Sequence, residues 1–279
     1  MNNVKRLIVS TLSYLLLLLL SCVFIAPIII VAYNSFKNKL YIMSDPFAFP
    51  NSITFDNTNY LRGIISSDFF AAFCRSLFIT VFSVLLLIIC ASMAAWYINR
   101  SKDKISRFIY YILVFSMVVP FQMVMYSMTS VVGKLGLNNP VGIIFVYLGF
   151  GAGLSVFMYS GFVKSVPLEV EEAAMIDGCT PLQTFFRVVF PILKPITVTV
   201  AILQTMWVWN DYLLPYLVLG SKFKTIPVAV QLAMQGAYGS VDWGSFMAML
   251  VLAIIPIIIF YLFGQKYIIE GVIAGAVKG

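Results

Sequence analysis

The chain has 279 residues, of which 61% are apolar or aromatic and only 10% charged, with a mean hydropathy of +0.98. A soluble domain carries about 25% charged residues and 45–50% apolar ones, so this composition excludes an ordinary soluble enzyme and a disordered regulator and calls for a bilayer. The chain has 18 basic and 11 acidic side chains and no His, which excludes His metal sites and Ser-His-Asp catalysis. Its four scattered cysteines (Cys22, Cys74, Cys90, Cys179), with no CxxC pair, suggest neither a disulfide framework nor a zinc site.

In chain order, Lys5 and Arg6 precede an apolar run that contains Leu19-Leu20-Ser21-Cys22, an imitation of a lipoprotein cleavage box. The run continues past Cys22 to Tyr33 with no A-x-A site, which predicts an uncleaved first span over about 10–33. Residues 76–99, 108–133, 135–163 and 243–265 are free of Asp, Glu, Lys and Arg, and they are 24, 26, 29 and 23 residues long. A membrane helix needs about 20 residues. These runs predict spans at 74–98, 108–131, 141–163 and 245–265, and an apolar stretch broken only by Asp211 adds one at 195–219. The expectation is an all-α polytopic protein with six transmembrane helices in one domain, 1–279.

Six spans put both termini on one side. With that side cytoplasmic, the inner segments hold 11 basic residues in 64 positions and the outer segments 7 in 77. The positive-inside rule therefore favours cytoplasmic termini, mostly through Arg100, Lys102, Lys104 and Arg107. Basic residues in such short gaps set orientation, and no nucleic-acid partner is expected.

The polar residues inside spans each carry two readings. Asp211 is the one acid in an apolar span, close to Gln204, Trp207, Asn210 and Tyr212. It lines a substrate pathway, since charge at membrane depth faces water or the bundle interior, or it belongs to an aromatic belt at the outer interface. Gln122, just after Pro120, faces the pathway or satisfies a helix kink. Gly149, Gly151 and Gly153 serve close helix packing or a subunit interface.

Pro167–Pro195 reads as two short helices about a joint. Pro167 suits a first turn, and Glu169, Glu171 and Glu172 favour the positive end of the helix dipole. Gly178 follows Asp177 where a left-handed residue ends a helix. Thr180 then opens a second helix, with Pro181 at its first position and Gln183 completing a capping box. Leu182, Phe185, Phe186 and Val189 give it an apolar face. On pattern alone these helices lie on the membrane or dock into a groove on a soluble partner.

Glu172-Ala173-Ala174, then Gly178, then Pro191 thirteen residues further on, resembles the cytoplasmic EAA loop of permease subunits in binding-protein-dependent ABC importers. Asn59-Tyr60, Trp209-Asn210-Asp211-Tyr212 and Asp242-Trp243-Gly244 resemble the carbohydrate-importer branch. The tail from Gln265 to Gly279, with Gly271, Gly275 and Lys278, is similar to that of the smaller permease of maltose-type transporters. Arg75-Ser76-Leu77 departs from the family's usual Asn-Ser-Leu.

The resemblance implies the ABC type I importer permease fold, a bacterial inner-membrane location and a non-enzymatic translocation role without cofactor. It implies a larger partner permease, two cytoplasmic ATP-binding subunits and an extracytoplasmic solute-binding protein. The ATPase would engage Glu172, Ala173, Ala174, Asp177, Gly178 and Pro191, and the tail at Gly271, Gly275 and Lys278 would add a contact. The chain has no G-x-x-x-x-G-K-[ST] phosphate loop, so ATP must be bound by another chain. The alternatives are a non-sugar solute of the same importer type and an ion-coupled carrier, which would want more intramembrane ionisable residues and an internal repeat.

Overall fold

The computed structural model describes residues 3–101, 103–235 and 241–276. The first helices are α1 (Asn3–Asn34), α2 (Lys39–Ser44), α3 (Thr58–Ser67), α4 (Phe69–Arg100) and α5 (Lys104–Ser116). They are followed by α6 (Phe121–Lys134), α7 (Gly142–Val163), α8 (Leu168–Ile176) and α9 (Pro181–Thr184). A π-helical turn, Phe185–Val189, leads into α10 (Phe190–Ile192) and α11 (Lys194–Asn210). The last are α12 (Leu213–Leu219), α13 (Ile226–Gln235) and α14 (Trp243–Ala276). Among the described residues there is no strand, and a single antiparallel bridge joins Lys37 to Phe55.

Four segments, Val9–Asn34, Phe69–Arg100, Gly142–Val163 and Trp243–Lys266, are long and apolar enough to cross a bilayer. The expected third span is not one rod: α5 and α6 meet at 109°. Pro120 has no N–H to continue the helical ladder and drives the residue before it out of helical conformation, so the chain turns there. The expected fifth span is α11, a gap at Asp211 and Tyr212, and α12, and α11 lies at 79° to Pro181–Ile192 before it.

The chain divides into two compact units, Met1–Phe69 with Ala229–Pro256, and Phe70–Val228 with Ile257–Gly279. In the first, α1 leaves its large apolar side chains exposed from Val9 to Ile29, which water does not tolerate and acyl chains or another subunit do. The connection after it is stapled from within. Lys37 is buried, and its Nζ donates to the carbonyls of Asp45 (2.6 Å) and Ala48 (2.9 Å). Asn59 donates to the carbonyls of Ser35 and Lys37, both at 2.9 Å, and accepts from Arg62. Arg62 also pairs with Asp56 at 2.8 Å and lies 3.6 Å from Asp242. The Asp56 carboxyl sits below its ordinary range, chiefly through the Thr58 hydroxyl it accepts at 2.7 Å. Gly244 packs directly on the Asn59 side chain, so two motifs far apart in sequence meet here.

In the second unit α7 and α11 run antiparallel, joined by a stripe repeating every four residues on α7. Tyr147 meets Asp211, Ser155 and the carbonyl of Gly151 meet Gln204, and Tyr159 meets Thr197. Gly153 lets α5 approach: a Cβ there would lie 2.5 Å from the Leu113 carbonyl oxygen and 2.7 Å from Ser116 Oγ. Close packing is what this glycine serves, whereas Gly149 faces open space. The core on one side joins Ile88, Ala91 and Ala95 of α4, Tyr159 and Val163 of α7, and Phe185, Val189 and Leu193. At the departure from the family pattern, Arg75 donates to the Lys224 carbonyl at 3.1 Å, and Ser76 Oγ accepts from the Ile226 amide at 2.8 Å.

Candidate functional site

Two places gather the residues singled out by sequence. The first is the loop between α7 and α11. α8 begins after Pro167 and ends at Asp177, whose N–H returns to the Ala173 carbonyl. Gly178 has φ +88°, in the left-handed region that costs any other L residue strain, and this is where the chain turns. Thr180 then caps α9 by the full reciprocal box: its Oγ accepts from the Gln183 amide and its own amide donates to Gln183 Oε1 at 2.8 Å. Both expected helices are present, the second relaxing into a π turn over Phe185–Val189.

The loop has an inner and an outer face. Ala174, Phe185 and Val189 are buried, as is Glu171, which pairs with Arg100. Glu172, Ala173, Asp177, Gly178 and Pro191 are exposed. Ile176 is 85% exposed, and Leu182 and Phe186 are exposed as well. Of the six residues expected to engage the ATPase, Ala174 alone turns inward. From sequence Glu171 has the same helix-dipole role as Glu172, because two adjacent acids differ only in helical phase, and α4 sets which of them turns inward.

The second place is the gap in the fifth span. Asp211 ends α11 and caps α12: its Oδ1 accepts from the amides of Leu213 (3.0 Å) and Leu214 (3.4 Å). Its Oδ2 accepts from the Tyr147 hydroxyl at 3.1 Å. Trp207 stands edge-on to the Tyr147 ring at 5.3 Å with 39% exposure, so Trp207 and Asp211 share one partner. Asn210 is exposed, its amide nitrogen donating back to the Met206 carbonyl at 2.7 Å. An aromatic face, a carboxylate and an exposed amide offer hydrogen bonds and stacking to a polyol.

Gln204 belongs elsewhere. It is buried against α7, donating to Ser155 Oγ at 3.0 Å, eight residues along α7 from Tyr147 and so about 12 Å away. It joins two helices. Gln122 is exposed in the first turn of α6, with no described tie to Asp211. Gly271 and Gly275 lie within α14, and Lys278 lies outside the described residues. Tyr147 escaped sequence reading, its one signal being the period of four that it shares with Gly151, Ser155 and Tyr159.

A family profile for binding-protein-dependent transport system inner membrane components matches residues 87–273. The probable starch degradation products transport system permease protein of Thermoanaerobacterium thermosulfurigenes is 39% identical over 94% of both chains. The multiple sugar-binding transport system permease protein of Streptococcus mutans is 39% identical over 95% of this chain and 96% of its own. The melibiose/raffinose/stachyose import permease protein of Bacillus subtilis is 35% identical over 95% of each. Among solved structures, a chain of a bacterial ABC transporter that imports the acidic polysaccharide alginate superposes with a TM-score of 0.77. The identity is 23%, covering 96% of this chain and 98% of that one, and the likeness shows a shared fold.

Proposed function

The chain belongs to the binding-protein-dependent transport system inner membrane component family, and from that premise we propose that it is a translocating subunit of an ATP-driven sugar importer. It is a multi-pass membrane protein. Its partners are a second, larger permease, two ATP-hydrolysing subunits on the cytoplasmic side and a solute-binding protein on the other, with both termini cytoplasmic. The chain performs no hydrolysis itself. It opens a path to one side and then to the other as the ATPase pair closes and opens.

The observation that carries this reading is the outward face of the loop. Gly178 turns the chain between two capped helices, and Ile176, Leu182 and Phe186 are left bare beside the exposed Glu172. Exposed apolar side chains and a free acid on two short helices joined by a fixed turn suit a cleft in a soluble partner. Ala173 permits close approach and Glu172 offers charge to the cleft wall. At the other end, Asn210, Asp211 and Trp207 offer the hydrogen bonds and the ring face that a sugar uses, while the buried Tyr147 holds the Asp211 carboxylate. The names of the three relatives above specify starch degradation products, multiple sugars and melibiose, raffinose and stachyose, which supports a sugar as the cargo.

Reconstitution tests the proposal. The full complex in proteoliposomes should accumulate radiolabelled oligosaccharide only with loaded binding protein outside and ATP on the ATPase side. Accumulation without ATP that follows a proton or sodium gradient would show an ion-coupled carrier instead.

A further inference from the structure

Glu171 is 2% exposed, yet it lies beside the exposed Glu172 on a nine-residue helix. Its carboxylate is fully engaged. Trp96 Nε1 donates to Oε2 at 2.9 Å, Arg100 Nε donates to both oxygens at 3.0 and 3.1 Å, and the second guanidinium nitrogen of Arg100 donates to Oε1 at 2.6 Å. The same nitrogen also donates to the Val166 carbonyl at 3.0 Å, in the linker that ties α8 to α7. Trp96 and Arg100 are four apart, one turn of α4 and one face of it. The Trp96 ring packs on Phe185 at 5.4 Å, just past α9. One turn of α4 therefore grips the linker, the first helix of the loop and the start of the π turn after the second.

We propose that Glu171 is a positioning residue that latches the loop to the end of α4 through Arg100 and Trp96, so that the loop and α4 move as one body during transport. The proposal rests on the reading of the loop as the ATPase dock. A side-on Arg–carboxylate pair with a third donor is charge-assisted and directional, and parting it would strand a charge out of water. Such a joint persists while weaker contacts rearrange. By chain connection the loop continues α7, but Lys164–Pro167 between them is not helical, so that connection transmits little. The two acids divide the work: Glu172 faces the partner, and Glu171 fastens the helix that carries it.

The test uses the full complex with its natural cysteines replaced and spin labels at the exposed positions Tyr97→Cys on α4 and Glu169→Cys on α8. The expected result is one label distance, the same without nucleotide and with ATP plus loaded binding protein. In Glu171→Gln the distance should become dependent on state. The ATP hydrolysed per sugar imported should then rise about tenfold, as a charge-assisted contact becomes a neutral one. The exchange of Glu171→Arg with Arg100→Glu should bring that ratio back toward the parent, which a loss of folding would not do. A wild-type distance that shifts between states overturns the latch without recourse to any latch variant, and so does Glu171→Gln with the parent's distance and ATP cost. Ile176→Asp separates this from the docking itself: if the ATPase subunits stay bound to that variant the dock is wrong, whereas detachment with a shifting wild-type distance overturns the latch alone.

Discussion

Glu171 and Asp211 are both carboxylates set among helices, and they are held in opposite ways. Glu171 has a cation of its own, Arg100, and is closed off from solvent. The partners of Asp211 among the described residues are neutral, the Tyr147 hydroxyl and the amides of Leu213 and Leu214, and it keeps part of its surface open. A carboxylate with its counter-ion is spent inside the chain and serves as a joint. One held by neutral donors keeps a field that reaches whatever water or hydroxyl enters beside it. On the proposals above, the loop carries force and the gap in the fifth span makes contact with the cargo.

The largest effect should come from breaking the joint. Arg100→Ala leaves Glu171 buried with a single donor, at a cost of about 3 kcal/mol; this is the low end for a broken buried pair, because the Arg100 side chain retains 23% exposure. Thermal unfolding of the purified complex should register it as a clear drop in Tm, while Arg100→Lys should lose less. Gly178→Val attacks the same region from its outer side. A β-branched residue at φ +88° costs about 2 kcal/mol, enough to weaken docking of the ATPase about thirtyfold in a pull-down titration.

Smaller and different in kind is Tyr147→Phe. It removes one donor to Asp211, about 1.5 kcal/mol, and should lower uptake about tenfold with assembly and membrane level intact. If uptake is unchanged, Asp211 is an interfacial bystander and the contrast with Glu171 loses its second term. Smallest in energy is the sidedness on which the contrast depends. An impermeant thiol reagent on intact cells should label Ser52→Cys and spare Asp103→Cys, and the reverse pattern inverts the topology.

Local signals made the loop legible. Gly178 and the Thr180–Gln183 box act within one helical turn and do in the structure what their chemistry predicts, whereas Pro167, expected in the first turn, stands just before it with an extended ψ of 136°. Charge-free runs marked the long helices for the same reason. What escaped was set by contacts distant in sequence. The choice between Glu171 and Glu172 depends on where Trp96 and Arg100 lie, some 70 residues earlier. Gln204 reads as a pathway residue until α7 closes over it. Pro120 signalled a kink within one span, whereas α5 and α6 meet there at 109°, an angle that proline chemistry alone does not specify. Asp211 carried a missed local clue, since an Asp two residues before an apolar helix is an N-cap pattern.

The contrast between the two acids is tested most directly by measuring sugar uptake and ATP hydrolysis together, in the same proteoliposomes, for the parent complex, Asp211→Asn and Glu171→Gln. Asp211→Asn should slow both in proportion, leaving the ATP spent per sugar as in the parent, because a contact in the path limits the cycle without loosening it. Glu171→Gln should raise that ratio, because the ATPase turns over while the joint slips. An unchanged ratio in Glu171→Gln, or a raised one in Asp211→Asn, would contradict the division between joint and path.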